Sequence, residues 1–386
     1  MIRVLGKGLT AKAIKDSFND VVLYDDTNFK DYDLNSDEVT IVSPGIPPYN
    51  DMVKSANNIQ SDYDLVYDQM PFSVWVSGTN GKTTVTQMIQ HILEEKGSVC
   101  GGNIGIPVTS LDKKANIWIL ETSSFTFHYT KRAKPNLYIL LPITEDHITW
   151  HGSYEEYKKA KLKPLTMMGK EDIAIIPEEF KDFPTLAKKI IYKNSDDLCK
   201  YFNMDKKSIK FREPFLLDAI LSLAVKKILF DQIDYNTINS YRVDKHKLEE
   251  FFDANNRLWV DDSKATNVDA TIKALESYKD KQIFLILGGD DKGVDLQPLF
   301  KYIQSMDIEI FAIGTNEDRL IEYCEKFNIK NKRCSNLKKA VDEISLKHHK
   351  NAVAMLSPAA SSLDQYSSYK QRGEKFKNFV FTLSLN

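Results

Sequence analysis

An α/β architecture in three segments is what the sequence predicts, and three observations predict it. Short apolar strand candidates recur along the chain, and turns rich in Gly, Ser or Asp follow them, with helically spaced stretches between. The 386 residues suffice for two or three domains at about 150 residues each. Apolar residues make up 42% and charged residues 27%, so each domain can bury a core of its own.

The first segment, 1–70, opens with the strand Ile2–Leu5. A Gly6-Lys7-Gly8-Leu9-Thr10 turn, a helix over Ala11–Phe18 and a second strand, Val21–Tyr24, follow, and that strand ends in Asp25-Asp26. This is a Rossmann-like half. Position 11 is Ala where the dinucleotide fingerprint has its third Gly, so by itself the turn is an ordinary strand-to-helix turn. A strand over Val39–Val42 runs into Ser43-Pro44-Gly45-Ile46-Pro47.

The second segment, 71–242, has a strand over Phe72–Ser77, a loop Gly78–Thr84 and a helix from Val85 to about Lys96. Strands over Asn116–Glu121 and Leu137–Leu141 come next, then a charged helix from Tyr154 to about Leu165 and an apolar one over Phe215–Phe230. Between Lys181 and Lys210 the chain is Lys-rich and poorly periodic, which predicts loops and a solvated face. The third segment, 243–386, alternates helices with strands at Leu258–Val260, Ile283–Leu287, Ile308–Ile313 and Ala352–Leu356, predicting a mostly parallel sheet.

The charge balance, 52 basic against 54 acidic residues, gives no electrostatic footprint for nucleic acid or a membrane surface. The 4 cysteines are scattered without a C-x-x-C pair, which argues against a zinc site or a disulfide framework. The N-terminus lacks a signal-peptide core and no apolar run reaches the ~20 residues of a membrane span, so a cytoplasmic protein is expected.

The strongest chemical signal is Gly78-Thr79-Asn80-Gly81-Lys82-Thr83-Thr84, a glycine loop joining a strand to a helix. Such a loop lets backbone N–H groups approach phosphates, with Lys82 for the β/γ-phosphates of ATP and the Thr83 hydroxyl for Mg²⁺. Two residues separate its glycines, not the four of an ordinary Walker A loop. Glu121 ends a strand, where an open α/β sheet has its ligand crevice, and could hold Mg²⁺ or be a plain surface carboxylate. His147 follows the next strand in Thr144-Glu145-Asp146-His147 and could ligate a second metal or contact substrate. Lys161 sits in a lysine-rich helix and does not stand out on charge. In the third segment three polar turns, Asp261–Asn267, Gly288–Gly293 and Leu356–Gln365, each follow a strand and should converge on one sheet edge.

Taken in order, these motifs resemble the Mur ligases over nearly the whole chain. The Gly78–Thr84 loop is similar to that family's ATP loop, Glu121 to its Mg²⁺ ligand and His147 to its second-metal histidine, while Lys161 matches a lysine that family members carbamylate. Ser43-Pro44-Gly45-Ile46-Pro47, Asp261–Asn267 and Leu356–Gln365 resemble the D-glutamate-adding branch. The resemblance implies three domains: a Rossmann-like one for a UDP-sugar, a central P-loop-type ATPase domain and a Rossmann-like C-terminal one for an amino acid. It implies ATP, two Mg²⁺ ions and a carbamylated Lys161 as cofactors. The implied substrates are UDP-N-acetylmuramoyl-L-alanine and D-glutamate, used by a monomer. Thr10, Asp25 and Ser43 would lie near the uridine nucleotide, and Asn103 and His147 near the muramoyl-peptide side. Lys247, Asp262 and Lys264 would approach ATP, and Thr266, Lys292, Ser362, Leu363 and Tyr369 would bind D-glutamate.

Departures from the family pattern are His246-Lys247 for His-Arg, Glu213-Pro214…Leu217 in place of the asparagines near adenine, and Tyr369 for Phe. Lysine lacks the planar fork arginine offers phosphate. Rival readings are a folylpolyglutamate synthase-like ligase and a non-catalytic nucleotide-binding protein. The Ser43–Pro47 turn after an N-terminal Rossmann-like half argues against the first, and retention of Lys82, Thr83, Glu121, His147 and Lys161 together against the second.

Overall fold

A computed structural model describes residues 1–383, in two compact units divided between Tyr241 and Arg242. The first unit carries two parallel sheets. Strands β1 (Ile2–Leu5), β2 (Val21–Tyr24), β3 (Thr40–Val42) and β4 (Ile59–Gln60) form one, in the order β2-β1-β3-β4. The other has β5 (Phe72–Ser77), β6 (Ser98–Gly102), β7 (Ile117–Glu121), β8 (Leu137–Leu140), β9 (Ile173–Pro177) and β10 (Lys188–Tyr192), ordered β10-β9-β8-β5-β7-β6. Val74, Trp75, Val76, Trp118, Ile119, Leu120, Tyr138 and Ile139 are wholly buried, as expected of strands covered on both faces.

The second unit is one sheet of β11 (Glu249–Phe252), β12 (Leu258–Asp261), β13 (Gln282–Gly288), β14 (Ile308–Ile313), β15 (Lys330–Ser335) and β16 (Ala352–Leu356), ordered β11-β12-β16-β13-β14-β15. Among the described strands of this sheet, only the edge pair β11–β12 is antiparallel. Because β12, β16 and β13 are parallel neighbours, the turns that follow them leave from the same sheet edge, as the sequence predicts.

Two expectations need correction. The helix after β5 begins at Lys82, not Val85, with Gly81 as its N-cap in the left-handed region at φ +84°. Lys82, Thr83 and Thr84 therefore form its first turn, at the positive end of the helix dipole. The segment 181–210 is not merely loops on a solvated face. It contains β10 and the helix Ser195–Phe202. Ile190 and Tyr192 point inward with strand alternation, and Leu198, Cys199 and Phe202 with helical spacing, while Lys188, Lys193 and Lys200 stay in solvent and mask the pattern. The strands β4, β6, β11 and β15 escape a reading by local pattern as well, being short, Gly-containing or polar, while β9 is an apolar run that carries the strand signal and is missing from the expected strands.

Candidate active site

The loop between β5 and the helix Lys82–Leu93 is shaped by glycine. Gly78 has φ +137°, and a side chain there would collide with Leu141 at the end of β8. A Cβ on Gly81 would come within 2.9 Å of Asp218 Oδ1. Thr79 fastens the loop from beneath: its N–H donates to Pro142 O at 3.1 Å, and its hydroxyl lies 2.9 Å from the Tyr157 hydroxyl and accepts from Thr144 N at 2.9 Å. The Lys82 side chain folds back over this loop, with Nζ donating to Thr79 O at 2.7 Å and to Gly78 O at 3.0 Å. Burial lowers its pKa against the opposing pull of Glu121 and Asp146. An ammonium held on carbonyl oxygens at a helix N-terminus is poised to move onto a phosphate.

Sheet order brings Glu121 to this loop, since β7 is the direct neighbour of β5. The buried Glu121 carboxylate accepts from the Thr83 hydroxyl at 2.7 Å on Oε2 and from Asn103 Nδ2 at 2.8 Å on Oε1. Asn103 follows β6, the next strand out, so a residue expected on the sugar side and one expected on the metal side share one carboxylate.

From the other flank β8 leads to His147, a non-glycine residue at φ +55° whose N–H donates to Asp146 Oδ1 at 2.8 Å. Its ring packs edge-on to Phe125 (4.8 Å between centroids) and to Tyr157 (6.0 Å). The helix Tyr154–Met167 then presents Lys161, which is 1% exposed, although Lys158 and Lys159 on the same helix carry surface ion pairs. Lys161 Nζ donates to Gly78 O at 2.7 Å and lies 4.8 Å from the centre of the Tyr157 ring. Burial, reinforced by the nearby Lys82 charge, holds its pKa well below that of an ordinary lysine. Lys82, Thr83, Glu121 and Lys161 thus converge on one glycine loop, with His147 reached through Tyr157. Tyr157 and Asp146 belong to this constellation and were not singled out by the sequence reading. The signal for Tyr157 was its position four residues before Lys161 on one helix face.

Around the first sheet, Thr10 lies in the first turn of the helix Leu9–Ser17 and Ser43 follows β3. Ser43 N donates to Leu5 O at 3.0 Å, while its buried hydroxyl has no hydrogen-bond partner. A Cβ on Gly6 would come within 2.6 Å of that hydroxyl, so the residue after β1 must be glycine to admit it. Asp25 pairs with Lys7 at 2.7 Å, and that bond together with the Thr27 hydroxyl depresses its carboxyl to about 2. Tyr129, on the neighbouring helix Ser124–Tyr129, donates to Ile46 O at 2.6 Å and ties the Ser43–Pro47 turn to the body of the unit.

In the second unit the three turns are joined to one another. Asp290 and Ser361 exchange backbone hydrogen bonds at 3.0 and 2.8 Å. Arg372, 1% exposed, donates from Nε to Ser263 Oγ at 3.0 Å and from Nη2 to Ser263 O and Ala360 O at 2.9 and 3.1 Å. Of the predicted acceptor residues, Thr266, Lys292 and Leu363 are exposed and Ser362 is buried. Tyr369 is partly exposed, and its ring centre lies 4.5 Å from Lys264 Nζ. Asp262, expected to approach ATP, is buried and accepts from Leu248 N at 3.2 Å and Ser357 Oγ at 2.7 Å. Burial pushes its pKa up to about 7. It supports the turn carrying Lys247, whose Nζ lies 3.1 Å from Asp244.

A second grouping, His246, Glu249 and Asp261, places potential ligand atoms within 4.8 Å of one another. His246 Nδ1 is bonded to Asp261 at 2.6 Å and Glu249 is paired with Lys377 at 3.0 Å, so the group reads as an internally compensated anchor.

Residues 76–215 match the family model for the Mur ligase middle domain. The chain is 48% identical to the UDP-N-acetylmuramoylalanine--D-glutamate ligase of Campylobacter jejuni, over 98% of this chain and 99% of that protein. It is 41% identical to the protein of that name from Helicobacter pylori, again over 98% and 99%. Among solved structures it resembles a MurF ligase from Thermotoga maritima in complex with ADP, with a TM-score of 0.62 and 16% identity over 98% and 93% of the two chains, a likeness of fold.

Proposed function

The chain belongs to the Mur ligase family, and from that premise we propose that it joins D-glutamate to UDP-N-acetylmuramoyl-L-alanine, with ATP converted to ADP and phosphate. The observation that carries the chemistry is the convergence of Lys82, Lys161 and the Thr83–Glu121 pair on the Gly78–Gly81 loop. A carboxylate oxygen of the substrate's L-alanine attacks the γ-phosphorus, and the bond to the ADP oxygen breaks, giving an acyl phosphate. The D-glutamate amine then attacks the acyl carbon, phosphate leaves and the amine proton is lost to solvent or a base. Lys82 and the first-turn amides of its helix hold the phosphates, and their preorganised charge does most of the catalytic work.

Glu121 and Thr83 offer hard oxygen donors 2.7 Å apart, the donor type Mg²⁺ takes. They would hold one ion. His147 and a carbamate on Lys161 would hold a second: burial lowers the Lys161 pKa, which favours the uncharged amine that adds CO₂, and the product is an anion. Bound there, Mg²⁺ would neutralise the phosphate oxygens as charge shifts to the leaving group.

Thr10, Asp25 and Ser43 are assigned to the uridine nucleotide, Asn103 and His147 to the muramoyl-peptide end, and Lys247, Asp262 and Lys264 to ATP. Thr266, Lys292, Ser362 and the backbone near Leu363 and Tyr369 are assigned to D-glutamate, within a C-terminal domain from residue 243. Residues 1–70 and 71–242 are read as the UDP-sugar and ATP domains. No helix among the described residues is long and apolar enough to cross a membrane. On the family resemblance, we read the enzyme as a cytoplasmic monomer. Phosphate release measured with UDP-N-acetylmuramoyl-L-alanine and ATP, with and without D-glutamate, tests the proposal. D-glutamate-dependent release supports it, and release that ignores D-glutamate refutes it.

A further inference from the structure

The turn that presents Lys292 also contains two carboxylates, which is an odd composition for a site that is to receive a dicarboxylate. The structure shows how one of them is removed from play. Asp291, whose side chain is 9% exposed, pairs with Arg319 Nη1 at 2.8 Å. The same carboxylate accepts from Asn316 Nδ2 at 2.8 Å and from Gly293 N at 2.9 Å. Arg319 lies on the helix Glu317–Lys326 that follows β14, and its Nη2 reaches across to Val294 O at 2.6 Å. Asn316 in turn accepts from Gly289 N at 3.1 Å. The guanidinium therefore grips both the carboxylate and the far end of the turn 290–294, while Asn316 fixes its start. Between these points Lys292 holds a left-handed conformation, φ +53°, with its N–H on Asp290 Oδ1 at 3.1 Å and its side chain in solvent. A non-glycine residue keeps that conformation only where its surroundings impose it.

We infer that Arg319 is a specificity-determining residue for the acceptor: it neutralises Asp291 and clamps the turn so that Lys292 stays available to an anionic amino acid. The inference rests on the assignment of Lys292 to D-glutamate. With Arg319 in place, two cations balance two carboxylates. Without it the turn is net negative, and Asp291, left without its guanidinium partner, competes with the ligand for Lys292. Arg319 acts through Lys292 and need not touch the acceptor.

The test is a charge-rescue series in the full-length enzyme. Arg319→Gln should raise the D-glutamate KM about fivefold, the size of one lost charged pair at a partly exposed site, and leave kcat and the UDP-substrate KM nearly unchanged. Adding Asp291→Asn to Arg319→Gln should bring the KM back to within about twofold of the starting enzyme, because the uncompensated charge is gone. A merely structural arginine would give a double variant at least as impaired as the single one. That result, or an unchanged KM in Arg319→Gln, overturns the inference alone. Lys292→Ala is run in parallel, and an unchanged D-glutamate KM there overturns the acceptor assignment and the inference with it.

Discussion

The Thr83 hydroxyl donates to Glu121 Oε2 at 2.7 Å, joining the first turn of one helix to the end of a neighbouring strand. A hydroxyl and a carboxylate held this close at the mouth of a phosphate loop can close on one cation. Glu121→Gln keeps the shape and removes the charge. Turnover should fall by about a hundredfold, and the Mg²⁺ concentration for half-maximal rate should rise. Thr83→Ser, which keeps the hydroxyl, should stay within about tenfold of the parent. Steady-state rates against Mg²⁺ concentration check both, and a Gln variant with an unaltered Mg²⁺ dependence would remove Glu121 from the metal site.

Lys82→Ala should reduce turnover far more than UDP-substrate binding. One charge-assisted contact in a closed site is worth roughly 3 kcal/mol, or about a hundredfold in rate. Calorimetric titration with the UDP-substrate alongside turnover separates the two effects, and near-normal turnover would refute the assignment.

Lys161 is buried against Gly78 O, and burial and the Lys82 charge lower its pKa. Lys161→Ala should be nearly inactive, and acetate should partly restore it by supplying an anion where the carbamate would stand. Intact mass of active, CO₂-equilibrated enzyme under non-acidic conditions should show the added CO₂. An active enzyme with an unmodified lysine would count against the carbamate.

Acceptor choice should follow charge. Lys292, Thr266 and Ser362 offer a cation and hydroxyls, and Arg319 compensates Asp291, so D-glutamate should be ligated and L-lysine and meso-diaminopimelate should not. Competition assays with the three amino acids decide this, and efficient use of L-lysine would falsify it.

Asp62 supplies a pH prediction for stability. Its carboxyl is buried, Oδ1 has no hydrogen-bond partner, and burial, with the neighbouring Asp64 charge adding to it, pushes its pKa up to about 7. The folded state thus binds its proton more tightly than the unfolded chain, where the pKa is about 3.9. The resulting stability is full below about pH 4, declines as pH rises and is gone above about pH 7. Asp62→Asn should melt close to the parent near pH 4.5 and above it at pH 8. Melting curves across that range check the sign, and parallel pH profiles would rule the residue out.

Much of the site was legible because its signals are local. The glycines at 78 and 81, the apolar strand before them and Lys82 lie within a dozen residues, and local sterics dictate a strand, a tight loop and a helix N-terminus. Glu121 and His147 could be placed at strand ends from the apolar runs preceding them, and parallel topology does send strand ends to one edge.

Partner choice was not legible, because it depends on which strands lie side by side. The order β8-β5-β7-β6 sets Glu121 between Thr83 and Asn103, positions 38 residues before it and 18 before it in the chain. Lys161 lies among lysines that the sequence cannot rank, and only packing of its helix against the Gly78 loop desolvates that one and leaves Lys158 and Lys159 in water. Asp291 reads as an acid beside Lys292 until the fold delivers Arg319 from 28 residues further on. Local periodicity determined which residues form strands, turns and helices. Burial and charge compensation, which set the chemistry of each side chain, arise from contacts distant in the chain, and those only the tertiary structure decided.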